Sequence, residues 1–259
     1  MLTHSFFIAH GSPLLAVQDI AYTRDLRRLG EKLDRPEAIL VFTAHWVSGR
    51  LTLTATDEIQ DTIHDFGGFP GELYEIAYPA KGSVHVANTV QKLLRDHGIE
   101  AVLDAHRGLD HGVWVILRHM YPAADIPVIA ASVNPSLPPE EQYRIGAALS
   151  SLKKRNILII ASGATVHNFR YMNFDAPDQT DEWAKQFDDW LIDRMGEWDT
   201  DSLFHYRRLA PHALRATPDA EHFLPLYIAM GAGDDNRTAR VYHQSYQYGS
   251  LSHLILQFD

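Results

Sequence analysis

The chain has 259 residues, 46% hydrophobic and 22% charged, an ordinary globular composition long enough for one large domain or two small ones. Its 33 acidic against 23 basic side chains leave a formal charge of -10, which repels a phosphate backbone and offers no polybasic anchor, so neither nucleic acid nor membrane is an expected partner. Zero cysteines exclude disulfides, thiolate nucleophiles, iron–sulfur clusters and thiolate zinc sites, so any metal takes imidazole or oxygen ligands and attention falls on the 15 histidines.

The opening Met1-Leu2-Thr3-His4-Ser5 lacks the basic region and small-residue cleavage site of a signal peptide, and no apolar run approaches the ~20 residues that cross a bilayer. A cytoplasmic location is expected. Residues 5–9 form the first of several short apolar runs closed by turn residues, which predict strands, and 22–33 then show the three-or-four spacing of a helix. A second apolar run covers 38–43. At 51–56 the pattern alternates Leu-Thr-Leu-Thr, which predicts a strand with one wetter face, an edge or antiparallel member of the same sheet. Helical spacing returns at 83–97, 113–120, 140–153 and 182–195, interleaved with strand-like runs at 126–133 and 157–161 and a last one at 254–258. The stretches 135–139 and 173–180 are loops by their Pro, Asn and Asp content, without the length or bias of a linker, and there is no internal repeat. The expectation is an α/β fold: one domain over 1–259 with a central mixed, mostly parallel sheet flanked by helices on both faces.

Three histidines follow strands in the same way. His10 comes after the first run, where Gly11-Ser12-Pro13 forces a sharp exit; His45 follows the second in Thr43-Ala44-His45-Trp46; His167 follows the 157–161 run through Ser162-Gly163-Ala164-Thr165-Val166. Ligands of open α/β sheets bind at the carboxyl ends of strands, so this recurrence argues for a site by position. Two more lie at predicted helix starts: His111 in Asp110-His111-Gly112-Val113-Trp114, and His222 after Thr217-Pro218, where Thr217 reads as an N-cap and Pro218 as the first helical residue.

Any one strand-end histidine is more often a hydrogen-bonded structural residue than a ligand, and only the agreement among them raises the functional reading. His4, His85, His97, His119, His205, His243 and His253 lack such context and are expected to be solvated or satisfied locally. His64, in Ile63-His64-Asp65-Phe66-Gly67-Gly68-Phe69-Pro70, fits a packed turn and a mobile pocket wall equally well. Gly11-Ser12-Pro13 lacks phosphate-loop spacing, and Ser162-Gly163 lacks the glycines of a nucleophile elbow. Asp188-Asp189 and 199–201 read as a solvated acidic face.

Together, His10-Gly11-Ser12-Pro13, Ala44-His45-Trp46, Ile63-His64-Asp65-Phe66-Gly67-Gly68-Phe69-Pro70, Asp110-His111-Gly112-Val113-Trp114, Val166-His167-Asn168 and Glu221-His222-Phe223-Leu224-Pro225 resemble the DOPA-dioxygenase branch of the class III extradiol ring-cleaving dioxygenases, in order and spacing over almost the full chain. The resemblance implies one divalent metal held by His10, His45 and His222, with His167 beside it as acid/base or fourth ligand and His111 contacting substrate or supporting a ligand. His64 is a further candidate for substrate contact. The wider class uses two His and a Glu, so Glu221 and His222 compete for the third position, and on a helix only one of two neighbours faces the metal.

The implied reaction is cleavage of a catechol, DOPA-like or related, beside its two hydroxylated carbons, with dioxygen as co-substrate and Fe(II) as the catalytic metal. Three imidazoles leave open positions for both substrates, and a base titrating near neutrality, His167, takes the catechol proton. Trp46, Trp114, Phe66 and Phe69 are candidates for an aromatic pocket or for core. Three neutral histidines also suit Zn(II), a candidate occupant of the purified protein, and the alternatives are a zinc hydrolase and a non-catalytic metal-binding module with a closed four-ligand site. The oligomeric state is open.

Overall fold

The computed structural model describes residues 4–259. An apolar run without alternation is stable as a strand only where both faces are covered, and strand β2 (Ala38–Val47) shows the consequence. Its Ile39 and Val41 enter one core and its Leu40 and Phe42 another on the opposite face. Strands β1 (Ser5–Ala9), β5 (Val128–Val133) and β6 (Ile157–Gly163) are buried along their whole length in the same way. With β3 (Leu51–Thr54), β4 (Ala101–Asp104), β7 (Ala239–Gln247) and β8 (Leu251–Phe258) they form one eight-stranded sheet in the order β4-β3-β5-β2-β6-β1-β8-β7. The four central strands are parallel; β8 pairs antiparallel with β1, β7 with β8, and β3 with β5.

Helices α1 (Ala21–Lys32) and α3 (His111–Met120) cover one face, packing Tyr22, Leu26, Trp114 and Leu117 against Ile8, Val41 and Ile160. Helices α2 (Val84–Asp96) and α4 (Pro139–Leu149) lie on the other. Helix α5 (Glu182–Gly196), the short turns α6 (Thr200–Phe204), α7 (Tyr206–Leu209) and α8 (Ala213–Ala216), and α9 (Pro225–Ala232) complete that layer. Among the described residues no helix is long and apolar enough to cross a membrane.

The mixed α/β sheet with helices on both faces matches the sequence expectation. Strand β3 is antiparallel to β5, but the edges are β4 and β7, which the hydrophobic pattern does not reveal: β4 has four residues, and β7 is Ala-Arg-Val-Tyr-His-Gln-Ser-Tyr-Gln, with no continuous apolar run. One expectation is corrected. Thr217 is not an N-cap; it closes α8, and its hydroxyl donates to the Ala213 carbonyl, so 218–222 are bend and turn and the next helix begins at Pro225.

Candidate active site

The parallel register sets Ala9 beside Gly163 and Thr43 beside Ser162, so the carboxyl ends of β1, β6 and β2 lie side by side. His10 leaves β1 there, with its backbone N–H on the Gly163 carbonyl at 3.1 Å. Gly11 follows at φ +61, a left-handed conformation that lets the chain turn away while the imidazole stays at the strand end. His45 sits within β2, which runs on to Val47, rather than beyond it. His222 arrives from the turn before α9 because its carbonyl accepts the Ala164 N–H at 2.8 Å. A Cβ at Gly163 would lie 2.1 Å from that carbonyl oxygen, so only glycine permits this approach.

The three rings meet through Nε2: His45 to His10 at 3.0 Å and His222 to His45 at 3.3 Å. Their outer nitrogens are each engaged. Ser162 Oγ donates its one proton to the Gly112 carbonyl at 2.6 Å and therefore accepts from His10 Nδ1–H at 2.9 Å. His45 Nδ1 faces Asp65 Oδ2 at 3.2 Å, and His222 Nδ1 faces Glu221 Oε1 at 3.1 Å. With Nδ1 protonated in all three, three Nε2 lone pairs point at one another, an arrangement that a shared cation relieves. A metal about 2.1 Å from each nitrogen sets ligand atoms ~3.0 Å apart at right angles and ~3.4 Å apart at the tetrahedral angle, which brackets the observed spacing. The donor set fits a divalent metal. Glu221 stands behind His222, not among the converging nitrogens.

His111, first residue of α3, lies against His45 with ring centroids 3.9 Å apart. Asp65 holds it twice, accepting from its backbone N–H and from its ring Nδ1, both at 2.9 Å. Asp65 thus caps α3 from a distant loop, while the Asp110 carboxylate, adjacent in sequence, is taken by the Thr43 hydroxyl and Arg107. His167 stacks on His222, centroids 3.6 Å apart and planes 9° from parallel. Its ring makes no hydrogen bond among the described residues.

Electrostatics follow the crowding. Burial, then repulsion from neighbouring imidazoles, holds His10 well below the ordinary histidine range. Burial also lowers His111 and His222 against the opposing pull of their carboxylates, and burial with repulsion from His222 pushes His167 down to about 3, which corrects the expectation that it titrates near neutrality. Asp65 works against burial, but its hydrogen bonds from His111 and His45 keep the carboxylate ionised far below its usual range. The Glu221 carboxyl is lowered chiefly by its hydrogen bond with His222.

A cavity of about 320 Å³ opens beside the cluster, bounded by His10, His45, His111, His167 and Asp65, with Phe66, Phe69 and Phe169 in the rest of the wall. His64 does not reach it. Its Nε2 donates to the Ile76 carbonyl at 3.0 Å and its ring packs against Phe66, Tyr74 and Trp114. The loop that brings Asp65 to the histidines holds the His64 ring on the Ile76 carbonyl, away from the cavity. Trp114 is core, fully buried with its indole N–H on the Ile63 carbonyl, and Trp46 carries the Arg107 guanidinium 4.5 Å from its ring centroid, so of the four aromatic candidates only Phe66 and Phe69 line the cavity.

Two bland expectations also change. Asp188 is fully buried, accepting from Tyr246 and Ser252, and burial raises its carboxyl to about 6. His253 is fully buried against Tyr22, with neither ring nitrogen hydrogen-bonded among the described residues. Residues with no role in the sequence reading were Asp65 and Ser162. Asp65 lay inside a quoted motif, but nothing local marks it as the partner of two histidines 20 and 46 positions away.

An α/β sheet that gathers His10 and His45 at the carboxyl ends of two strands, His111 from a helix start, His167 from a loop and His222 from a turn beside a cavity defines a class of protein with a histidine-rich polar centre. The chain belongs to the family described as the catalytic LigB subunit of aromatic ring-opening dioxygenase, whose model matches residues 5–258. It is 40% identical to the 4,5-DOPA dioxygenase extradiol of Beta vulgaris over 97% of this chain and 95% of that protein, and 37% identical to the Escherichia coli (strain K12) protein of the same name over 98% and 93%. The crystal structure of an uncharacterized protein from Escherichia coli K12 superimposes with a TM-score of 0.83 at 30% identity, covering 99% of this chain and all of the other.

Proposed function

We propose that this chain, as one catalytic unit over 1–259, cleaves the ring of a catechol beside its two hydroxyl-bearing carbons, using dioxygen and a divalent metal held by His10, His45 and His222. The observation that carries this reading is the convergence of three Nε2 lone pairs, 3.0 and 3.3 Å apart, beside a cavity of about 320 Å³ that His10 and His45 line. The names and family of its relatives supply the reaction type. Fe(II) is the proposed metal; when bound it supplies Lewis acidity and open positions where catechol oxygens and dioxygen are held together.

The chain's own residues supply the rest. Ser162, Asp65 and Glu221 fix the tautomers of the three ligating rings, so each presents an unprotonated Nε2. His167 enters the reaction as a neutral imidazole, the form that accepts a catechol proton, and a neighbouring oxygen anion then favours the imidazolium that results. It can return that proton to the product. His111, whose Nδ1–H donates to Asp65, presents an unprotonated Nε2 that accepts from a substrate hydroxyl. Stacking of His167 on His222 puts their in-plane lone pairs in two nearly parallel planes, so they do not meet at one point, which favours an acid/base role over a fourth ligand.

The test is anaerobic reconstitution of metal-free protein with Fe(II) and, separately, Zn(II), followed by oxygen and a panel of catechols. Expected are oxygen uptake and a yellow ring-opened product with iron alone, lost in His10→Ala and reduced at least about a hundredfold in His167→Ala. Tight zinc binding with no oxygen uptake by any catechol would replace this reading with a zinc hydrolase or a metal-binding module.

A further inference from the structure

The polar groups of the cavity wall divide by position. His10, His45, His111 and Asp65 hold one another at the histidine end. Ser12, two residues after His10, accepts the Leu14 N–H at 3.3 Å as the cap of the turn that follows, and His167 is stacked on His222, so both belong to that end as well. Tyr248 does not. It comes from the turn between β7 and β8, and its ring packs on Phe174 with centroids 5.1 Å apart; Phe174 is 66% exposed, which sets the tyrosine on the mouth side of the cavity. Among the described residues no group engages its hydroxyl.

Tyr248 also occupies a backbone position that a tyrosine resists. Its φ is +54 and that of Gly249 is +85, consecutive left-handed residues where Gly, Asn and Asp are the ordinary occupants. Backbone hydrogen bonds hold the turn there: the Tyr248 N–H donates to the Pro177 carbonyl at 3.0 Å and its carbonyl accepts from Asn173 at 2.8 Å, while the Gly249 N–H donates to the Gln179 carbonyl at 3.0 Å and its carbonyl accepts from Asp181 at 2.7 Å. The 173–181 loop thereby fixes where the side chain leaves the backbone, and a phenol with a free O–H is delivered to the cavity wall.

From this placement we infer that Tyr248 is a specificity-determining residue whose phenol donates a hydrogen bond to a carboxylate on the substituent of the catechol, at the end of the molecule away from its two hydroxyls. The inference rests on the catechol-cleaving reading above and adds to it a residue that selects among catechols. With the hydroxyls at the histidines, a substituent opposite them extends toward the mouth, where Tyr248 stands. A hydrogen bond from O–H to a carboxylate is stronger than one between neutral groups, and the exposed mouth leaves the remaining carboxylate lone pairs in water, so desolvation stays partial. An alkyl substituent offers no acceptor and gains nothing from the hydroxyl.

The experiment compares 3-(3,4-dihydroxyphenyl)propanoate with 4-propylcatechol, its analogue without the carboxylate, on the Fe(II)-loaded native chain and on Tyr248→Phe, by anaerobic titration calorimetry and by oxygen uptake. The variant keeps the ring against Phe174 and removes only the hydroxyl. The expected result is that the Kd of the carboxylated compound, relative to that of 4-propylcatechol, rises by about tenfold in the variant, with kcat/KM shifting in the same sense. A ratio of the two affinities unchanged by Tyr248→Phe, an equal loss for both compounds included, overturns the inference while leaving catechol cleavage intact. Failure of the native chain to bind either compound or to consume oxygen with it overturns catechol cleavage itself, and the role of Tyr248 with it.

Discussion

Asp65 and His111, 46 positions apart in the chain, are joined by two hydrogen bonds to one carboxylate oxygen, Oδ1 accepting the His111 backbone N–H and its ring Nδ1–H. The other oxygen faces His45 Nδ1 at 3.2 Å. One side chain therefore caps α3, orients one imidazole inside the cavity and sets the tautomer of a second. Removing it leaves two rings free to rotate and to present N–H where a lone pair is needed. Asp65→Ala is expected to weaken metal binding or activity by about 10–100-fold. Metal competition with a chromogenic chelator measures it, and an unchanged affinity with unchanged turnover would remove Asp65 from the site.

The third ligand position separates two neighbours. His222→Ala is expected to abolish stoichiometric metal binding, whereas Glu221→Ala keeps it with about tenfold lower affinity, because Glu221 acts through His222 Nδ1. Metal content after dialysis is the readout, and the reverse order of the two variants would assign the ligand to Glu221.

Gly163 is placed where a methyl group meets backbone. In Gly163→Ala the new Cβ would lie 2.1 Å from the His222 carbonyl oxygen, so the His222 turn must move or the strand must bend. A loss of about 1–3 kcal/mol in denaturant unfolding is expected, together with weaker metal binding. Native stability and native affinity together would show that the turn is not held by this contact.

Acid should destabilise the metal-free protein. His10, His111, His167 and His222 all have folded values below the 6.5 of an ordinary histidine, so the unfolded chain takes up protons as pH falls through 6.5 while the folded chain resists. Their neutral forms cost nothing above that point, and the loss continues down to each lowered value, about 3 for His167. Asp65 and Glu221, also lowered, add losses of the same sign at more acid pH, below their unfolded values. His167 alone accounts for ~1 kcal/mol between pH 6.5 and about 5.5. Melting curves across that interval should show Tm falling, and His167→Gln should flatten the slope; a Tm independent of pH would contradict the burial described for these rings.

Much of this was legible in the chain because it depends on local pattern. Uninterrupted apolar runs such as 38–43 demand cover on both faces, and they became the central parallel strands. Histidines placed just past such runs had to emerge at a common end of a parallel sheet, which is why His10 and His45 were found. The edge strands β4 and β7 escaped because a strand's polar, half-wet residues look like loop until a neighbour pairs with them.

The sequence by itself determined the α/β class, the dependence of any metal site on imidazole and oxygen, and the set of histidines from which that site is drawn, since composition and periodicity are properties of the chain alone. Only the tertiary structure decided that His222 and not Glu221 meets His45, that Asp65 and not His64 reaches the centre, and that Ser162 orients His10. Each of those outcomes turns on which way a side chain points from irregular backbone, or on a hydrogen bond between residues far apart in sequence. Such geometry is set by the packing of the whole sheet and its loops, and no local pattern records it.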